Sequence, residues 1–145
     1  MKIRPYKPED YADIINLYKD TEMSGSEFDV NRDGKEKLDR RIANDSASIL
    51  LAEDNGRLVG SVSLVEDGRV AWLFRFRVRE DITNESEVAT ELYESAKKAL
   101  IERGHHQVLV YTTVEEEKFK KRYKDLGFSQ GLDLHRSTVL YSTRL

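Results

Sequence analysis

The segment Val70–Tyr111 restricts the fold more than any other part of the chain. It opens with a strand-like run, Val70–Arg79, passes through a polar corner at Glu80–Ala89, and continues as a long amphipathic stretch. After Gly104 a second strand-like run covers Gln107–Thr113. A strand, a helix and a strand with short connections predict a βαβ unit, whose two strands pair in parallel. Because helix N-termini that follow strands bind anions in many α/β proteins, the corner is a candidate anion site.

Around this unit the chain alternates between strand and helix patterns. The turn Asp54-Asn55-Gly56-Arg57 favours a type I′ hairpin, because both central residues tolerate a positive φ. The predicted strands are Lys2–Tyr6, Ser48–Glu53, Leu58–Val65, Val70–Arg79, Gln107–Thr113, a short one from Phe128, and Leu132–Thr143. The predicted helices are Pro8–Thr21, Lys35–Asn44, Asn84–Arg103 and Glu115–Leu126.

This order, β-α-α-β-β-β-α-β-α-β-β, defines the expected fold class. We predict an α/β (α+β) fold with a mixed, mostly antiparallel sheet of about seven strands, helices on both faces and one parallel crossover. The 145 residues suit one domain over residues 1–145. Strict alternation along Val70–Arg79 predicts one face with Trp72, Phe74, Phe76 and Val78, and the other with Leu73, Arg75, Arg77 and Arg79.

Composition excludes several classes of function. The chain has no cysteine, which removes disulfides, thiolate metal sites and a cysteine nucleophile, and is typical of a cytoplasmic protein. No apolar run approaches the ~18–20 residues of a membrane span, and the formal net charge of −3 argues against a general nucleic-acid binder. Asp29–Gly34 matches only the first half of a calcium loop, and His105-His106 has no ligand cluster nearby in sequence. We therefore expect no metal site.

Three stretches, taken in order, resemble the GNAT superfamily of N-acetyltransferases. Ile3–Tyr18 is similar to the family's first strand and helix, and Ile49–Val65, with its Gly-x-x-Val-Gly at Gly56–Gly60, to the following hairpin. Lys118–Phe128 contains the Tyr-x-x-x-Gly-Phe pattern of the family's fourth helix. The resemblance covers nearly the whole chain. It implies a GNAT fold and acetyl transfer from acetyl-CoA as co-substrate, without a metal.

The family's phosphate-binding motif, Gln/Arg-x-x-Gly-x-Gly/Ala, is altered in this chain. Its best register is Asn84–Ala89, where Asn84 replaces the cation or amide, Glu87 replaces the first glycine, and Ala89 fits. Asn84 and Glu87 also have the spacing of a capping box, which would occupy N–H groups at the helix start. Several further carboxylates crowd this corner and would repel a phosphate, namely Glu80, Asp81 and Glu85.

The resemblance implies a set of acetyl-CoA contacts at the end of the fourth strand and the start of the helix. Compensating positive charge is expected from Arg77, Arg79 and the basic last helix, with Lys120, Lys121 and Lys124. The predicted cofactor-binding residues are Phe76, Arg77, Val78, Arg79, Asn84, Glu85, Ser86, Glu87, Val88, Ala89 and Lys120.

Catalytic roles also follow from the resemblance. Tyr123 stands at the family's frequent general acid, which protonates the leaving thiolate. A backbone N–H near Arg77 or Val78 is expected to polarise the carbonyl. Glu80, after the fourth strand, is a candidate base, although charged residues at strand ends are ordinarily solvated. The family's common asparagine before the tyrosine is Glu116 here, a second departure.

The predicted function is N-acetyl transfer to a primary amine of a small molecule or a peptide. Glu27, Phe28 and Asp29 are the candidate substrate-binding residues, because the acidic loop from Glu22 to Asp33 would attract a cationic acceptor. The altered corner keeps two alternatives open. One is a catalytically weakened GNAT-fold protein that acts as a binding or regulatory module, and the other is an acyltransferase that uses a different acyl carrier. A free edge on the last strands allows a homodimer.

Overall fold

The computed structural model describes residues 1–22, 27–113, 117–134 and 138–145, with the backbone alone in residues 111–113, 131–134 and 138–140. Its strands are β1 (Lys2–Pro5), β2 (Ile49–Asp54), β3 (Arg57–Glu66), β4 (Ala71–Val78), β5 (Gln107–Thr113), β6 (Ser129–Leu134) and β7 (Thr138–Arg144). Its helices are α1 (Tyr11–Asp20, after a 3₁₀ turn at Pro8–Asp10), α2 (Val30–Asp33), α3 (Lys35–Asn44), α4 (Glu85–Glu102) and α5 (Glu117–Asp125).

One seven-stranded sheet has the order β1-β2-β3-β4-β5-β7-β6. Every neighbouring pair is antiparallel except β4 and β5, which are parallel and joined through α4. The predicted fold class, a mixed and mostly antiparallel sheet with one crossover, is therefore confirmed. The hairpin turn is also confirmed, since Asn55 and Gly56 have φ values of 50° and 76°.

The parallel pair β4–β5 is joined at one end only. Trp72 pairs with Leu109, and in the described part of the chain the pairing goes no further, although β4 continues to Val78 and β5 to Thr113. The carboxyl ends of these two strands therefore diverge. In open α/β sheets, ligands bind beyond the carboxyl ends of parallel strands. The opening between β4 and β5 is thus the natural place for a site.

A β-bulge interrupts β4 just before this opening. Ser61 pairs with Arg77 and Ser63 with Phe74, so two residues of β4 lie opposite one residue of β3. Arg75, one of the two, has a φ of 51°, which a non-glycine residue rarely adopts. The bulge therefore adds one residue to β4 and shifts the alternation of all the residues after it.

The predicted alternation of β4 is wrong for this reason. Leu73, Phe76 and Val78 all belong to the core beneath α4, although Leu73 and Phe76 are three residues apart. Phe74 instead faces α2, and Trp72 is half-buried. Local sequence predicts a period of two, but the extra residue of the bulge moves Phe76 to the face that Leu73 occupies.

Two apolar clusters cover the two faces of the sheet. α1 and α3 pack on one face through a cluster that includes Ile14, Leu17 and Leu38. α4 packs on the other, and Gly60 of β3 allows its close approach. A Cβ at Gly60 would lie 2.8 Å from Leu92 Cδ1 and 3.0 Å from Val88 Cγ1. Residues from α5 join the same cluster as α4, so both helices lie on this face.

Two segments differ from the predicted elements. The stretch Asp29–Gly34, for which the sequence predicts no helix, contains the short helix α2, which begins where the Asp29 carboxylate accepts a hydrogen bond from the Asn31 N–H over 2.9 Å. The single strand expected over Leu132–Thr143 is wrong, because β6 runs to Leu134 and β7 begins at Thr138. The predicted start of the last helix at Glu115, and Glu116 beside it, lie outside the described residues.

Candidate active site and phosphate groove

Tyr123 lies over the opening between β4 and β5. Its ring centroid is 6.1 Å from that of Phe76 on β4 and 5.9 Å from that of Tyr141 on β7, the strand paired with β5. Phe128 packs on the same ring at 5.5 Å. Because these neighbours stand on both sides of the opening, α5 holds the Tyr123 side chain, which is 2% exposed, across it.

Arg77 is the largest fully buried side chain of the described residues and lies next to this tyrosine. Burial lowers the pKa of Arg77 to about 10, and the nearby Tyr123 opposes that shift. Burial raises the pKa of Tyr123 above its ordinary value, while Arg122 and Arg77 act in the opposite direction. At neutral pH the site therefore contains a guanidinium cation and a protonated phenol, which can donate its proton.

Glu80 and Asp81, the two carboxylates directly after β4, are each bound to a cation. Glu80 forms an ion pair with Lys118 of α5, and both side chains are about half exposed. Asp81 accepts a hydrogen bond from Arg57 over 2.7 Å, which lowers the pKa of Asp81. Glu80 is therefore a solvent-exposed charge with a partner, as charged residues at strand ends usually are.

Arg79 lies on the side of α1. Its Nη1 donates to the Asp20 carboxylate over 2.7 Å, and its Nε donates to the Leu58 carbonyl over 2.9 Å. The side chain does not line the groove at the start of α4. The predicted compensation of a phosphate by Arg79 is therefore not supported by its position.

The start of α4 lacks the predicted capping box. Asn84 makes no side-chain hydrogen bond to the helix, and its Nδ2 lies 3.4 Å from an Asp54 oxygen. Glu87 is exposed. Because the N-cap side chain does not occupy the first N–H groups of α4, the expected competition for these donors is wrong. The positive end of an 18-residue helix is left for an anion.

A groove of about 230 Å³ lies between this helix start and α5. Its wall on α4 includes Glu85, Ser86 and Ala89, all of which were predicted to contact the cofactor, and its wall on α5 includes Lys118, Lys121 and Arg122. Val88, also in the predicted set, is buried in the core instead. Lys120 does not line the groove, and its Nζ lies 3.0 Å from a Glu117 oxygen.

Arg122 lines the groove although it was not among the predicted cofactor contacts, whereas Lys120, which was, lies outside the groove lining. The sequence signal that finds the groove residues is helical spacing. Lys121 and Arg122 follow Lys118 by three and four positions, so both lie on the same side of α5 as Lys118. Lys120 lies off that side of the helix.

Arg122 is the best buried cation of the groove. Its side chain is 9% exposed, and its Nη2 forms an ion pair with the Glu85 carboxylate. Its Nη1 is buried and makes no hydrogen bond to any described residue. The guanidinium carbon lies 5.2 Å from the centroid of the Phe119 ring, within the range of a cation–π contact. A buried guanidinium with spare donors, beside an uncapped helix start, fits a phosphate group.

The predicted substrate-binding residues lie on the connection between α1 and α2. Residues 23–26 of this connection are outside the described part. The Glu27 carbonyl accepts a hydrogen bond from Arg75 Nη2 over 3.0 Å, and the Lys19 ammonium lies 4.9 Å from the Phe28 ring centroid. The Asp29 carboxylate caps α2. The structure thus brings Glu27 and Phe28 to the α1 side of β4.

Much of the negative charge of this loop is used within the protein. Asp33 is buried and paired with Arg75, and the Glu22 carboxylate accepts a hydrogen bond from the Phe28 N–H over 3.1 Å. The attraction for a cationic acceptor is correspondingly smaller than the count of acidic residues indicates.

Two further features concern metals and membranes. Within the described ranges, no group of three His, Asp or Glu side chains could hold a metal ion. His105 is 7% exposed, and its Nε2 lies 2.7 Å from the Glu66 carboxylate, so it has the carboxylate neighbour that its sequence context did not suggest. In the same ranges, no helix has the length and apolar character that crossing a bilayer requires.

Solved structures share this architecture across essentially the whole chain. The PaiA N-acetyltransferase from Thermoplasma acidophilum in complex with coenzyme A has a TM-score of 0.83 and 18% identity, covering 99% of this chain and 98% of that chain. The aminoglycoside 6′-N-acetyltransferase from Enterococcus faecium has a TM-score of 0.72, 13% identity and coverages of 99% and 97%. The ribosomal-protein-alanine N-acetyltransferase from Brucella melitensis has a TM-score of 0.72, 16% identity and coverages of 100%.

The sequence itself matches the acetyltransferase (GNAT) family over residues 11–128. The chain therefore belongs to the GNAT acetyltransferase family, and the resemblance in its three sequence stretches is confirmed. At these identities the structural likeness demonstrates the fold alone. The residues that carry out the chemistry have to be argued from the site.

Proposed function

We propose that this chain is an N-acetyltransferase that transfers an acetyl group from acetyl-CoA to a primary amine of a small molecule or a peptide. The observation that carries the proposal is the position of Tyr123 over the opening between β4 and β5, beside a groove lined by cations. A donor that combines a thioester with phosphate groups requires both features, a proton donor and an anion site.

Two separate groups of residues would bind the phosphates and activate the acyl group of the donor. Lys118, Lys121 and Arg122 would hold the phosphates of the donor, together with N–H groups at the start of α4. A backbone N–H near Arg77 or Val78 is the proposed donor to the carbonyl oxygen, since β4 is not paired with β5 there. Bound acetyl-CoA would supply the activated acyl group.

Tyr123 is the proposed general acid. The acceptor amine, after losing a proton to water or a base, forms a bond to the acyl carbon, and the bond from that carbon to sulfur breaks. The Tyr123 hydroxyl gives its proton to the leaving sulfur and regains one from solvent. Burial raises the pKa of Tyr123, so the phenol keeps its proton at neutral pH until the thiolate departs.

The proposed acceptor is a primary amine, which belongs either to a small molecule or to a peptide. The names of the structural neighbours include an aminoglycoside and a ribosomal protein alanine as acceptors of those enzymes. The absence of cysteine supports a cytoplasmic enzyme. Since β6 lies at the edge of the sheet, a homodimer through this edge is part of the proposal, and light scattering after size exclusion would test it.

The proposal is tested by titrating acetyl-CoA and desulfo-CoA into the protein by calorimetry. We expect saturable binding at micromolar concentrations, followed by release of free thiol in the presence of a panel of amines. No saturation at millimolar ligand would overturn the proposal and favour a different acyl carrier. Binding without turnover on any amine would instead favour a GNAT-fold binding module.

A further inference from the structure

The start of α4 carries a carboxylate where a phosphate is to be bound. Glu85 is the first residue of the helix and lines the groove directly, with its side chain 38% exposed. Glu87, two residues later, is exposed and is not part of the groove lining. The two acids of the altered motif are therefore different in kind, since one contacts the groove and the other faces solvent.

Arg122 is the partner of Glu85 across the groove. It reaches from the second turn of α5 to the first turn of α4, 37 positions earlier in the chain. Its Nη2 contacts the Glu85 carboxylate, while its buried Nη1 has no hydrogen-bond partner among the described residues. A carboxylate that binds one edge of a guanidinium leaves the other N–H donors available for a second anion, or for an anion that binds more strongly and replaces the carboxylate.

We propose that Glu85 is an internal counter-ion of Arg122, which a phosphate of the acyl donor displaces on binding. Arg122 then supplies from α5 the cation that the motif lacks at Asn84. This inference rests on the proposed use of a coenzyme A donor and concerns how its phosphate site is regulated. The ion pair keeps the groove electrically balanced until a doubly charged group replaces the singly charged carboxylate.

Replacing Glu85 by a phosphate costs free energy and favours anions with more than one negative charge. Breaking the pair requires Glu85 to turn outward, which its partial exposure permits, and the helix start continues to favour negative charge through its N–H groups. A monovalent anion gains nothing over Glu85, since it carries the same charge and is not tethered. A pyrophosphate gains both charge and a second oxygen for Nη1.

The test uses calorimetric titration with two probes, inorganic pyrophosphate and desulfo-CoA, on wild type and four variants. Glu85→Gln removes the counter-ion and should tighten both ligands about tenfold. Glu87→Gln removes the same charge from the same helix turn, and as the matched control it should change affinity less than about threefold. Arg122→Gln should weaken both ligands at least about thirtyfold.

Arg122→Lys keeps the positive charge but lacks the second donor edge of the guanidinium. Its affinity for both ligands should fall between those of wild type and Arg122→Gln. This intermediate affinity would show that the weak binding of Arg122→Gln is not caused by a folding defect. A second readout is the side-chain ¹⁵Nε resonance of Arg122. We expect this resonance to shift when pyrophosphate is added to wild type. In every ligand-free protein that retains Glu85, the resonance should stay away from its pyrophosphate-bound position.

The outcomes separate this inference from the proposed function. Desulfo-CoA binding with unchanged or weaker affinity in Glu85→Gln would overturn the exchange and leave the function standing. Pyrophosphate binding without desulfo-CoA binding would overturn the function, while tightening of pyrophosphate in Glu85→Gln would still support the exchange. If neither probe binds wild type, binding of pyrophosphate to Glu85→Gln supports the exchange, and its failure to bind overturns both.

Discussion

Arg75 and Asp33 form an almost fully buried ion pair between the bulge of β4 and the short helix α2. Arg75 Nε donates to Asp33 Oδ1 over 3.0 Å, and Nη2 of the same guanidinium donates to the carbonyl of Glu27 over 3.0 Å. Asp33 in turn accepts a hydrogen bond from the Asp29 N–H over 2.9 Å. One guanidinium thus ties the connection after α1 to the strand that leads into the candidate active site.

Asp33→Ala should be strongly destabilising. It would leave the buried charge of Arg75 without its carboxylate, which typically costs ~3–5 kcal/mol. Urea denaturation at neutral pH measures the change in the free energy of unfolding. Glu36→Ala, which breaks the exposed pair with Arg40, is the matched control and should cost less than ~0.5 kcal/mol. Equal effects of the two substitutions would contradict a structural role for the buried pair.

Gly60→Ala should destabilise the packing of α4 on β3. The new Cβ would lie 2.8 Å from Leu92 Cδ1 and 3.1 Å from the Arg77 carbonyl oxygen, so either the helix or the strand has to move. Overpacking of this kind typically costs ~1–3 kcal/mol. In a double-mutant cycle, Leu92→Ala should partly relieve the clash, so the two changes together should cost less than their sum. Strict additivity would show that Leu92 is not the obstructing group.

Asn84→Ala should change stability by less than ~0.5 kcal/mol, because the side chain makes no capping hydrogen bond to α4. Asp29→Ala provides the contrast, since the Asp29 carboxylate does cap α2 and its loss should cost ~1 kcal/mol. Thermal or urea unfolding of the two variants compares them directly. A loss of ~1 kcal/mol or more in Asn84→Ala would indicate that the residue caps the helix in solution.

Tyr123→Phe should lower turnover ~10²–10⁴-fold while the affinity for desulfo-CoA stays within about twofold. Tyr141→Phe is a control from the same aromatic cluster, because its buried hydroxyl makes no hydrogen bond to any described residue. It should retain turnover. Full activity of Tyr123→Phe would exclude the acid role.

The pH dependence of turnover follows from the direction of the pKa shift of Tyr123. Burial raises this pKa, so the phenol stays protonated beyond the ordinary range of tyrosine. Loss of the acid should therefore not limit the rate between pH 7 and about 10. A pH–rate profile of kcat measures this, and a decline near pH 8 that is absent in Tyr123→Phe would contradict the assignment.

Glu66 should contribute stability that disappears in acid. Its hydrogen bond with His105 is the main cause of its lowered pKa. A carboxyl with a lowered pKa in the folded state stabilises the protein above its ordinary pKa, and that contribution is lost as pH falls through the lowered value. Glu66→Gln should therefore lose less stability than wild type between about pH 5 and pH 3, as followed by urea unfolding at each pH.

Local patterns predict most of the secondary structure of this chain. The Asn55-Gly56 turn, the apolar stripe of α4 and the glycine after it each depend on a few neighbouring residues, and each is where the pattern indicates. The same holds for the Tyr-x-x-x-Gly-Phe stretch, which carries Tyr123 on α5 into the core. These features follow from backbone preferences and periodicity, which act over a few residues.

Tertiary structure decided which residues of β4 and of the corner before α4 are buried, and which of them form ion pairs. The bulge at Arg75 depends on pairing with β3, so alternation along β4 alone assigns Phe76 to the wrong face. The partners of Glu80 and Glu85 lie on α5, more than thirty positions away, and no local pattern specifies them. The sequence by itself thus determined the family, the order of all the elements except α2, and the candidate acid. Only the folded chain decided which charges meet, because ion pairing depends on distance in space rather than along the chain.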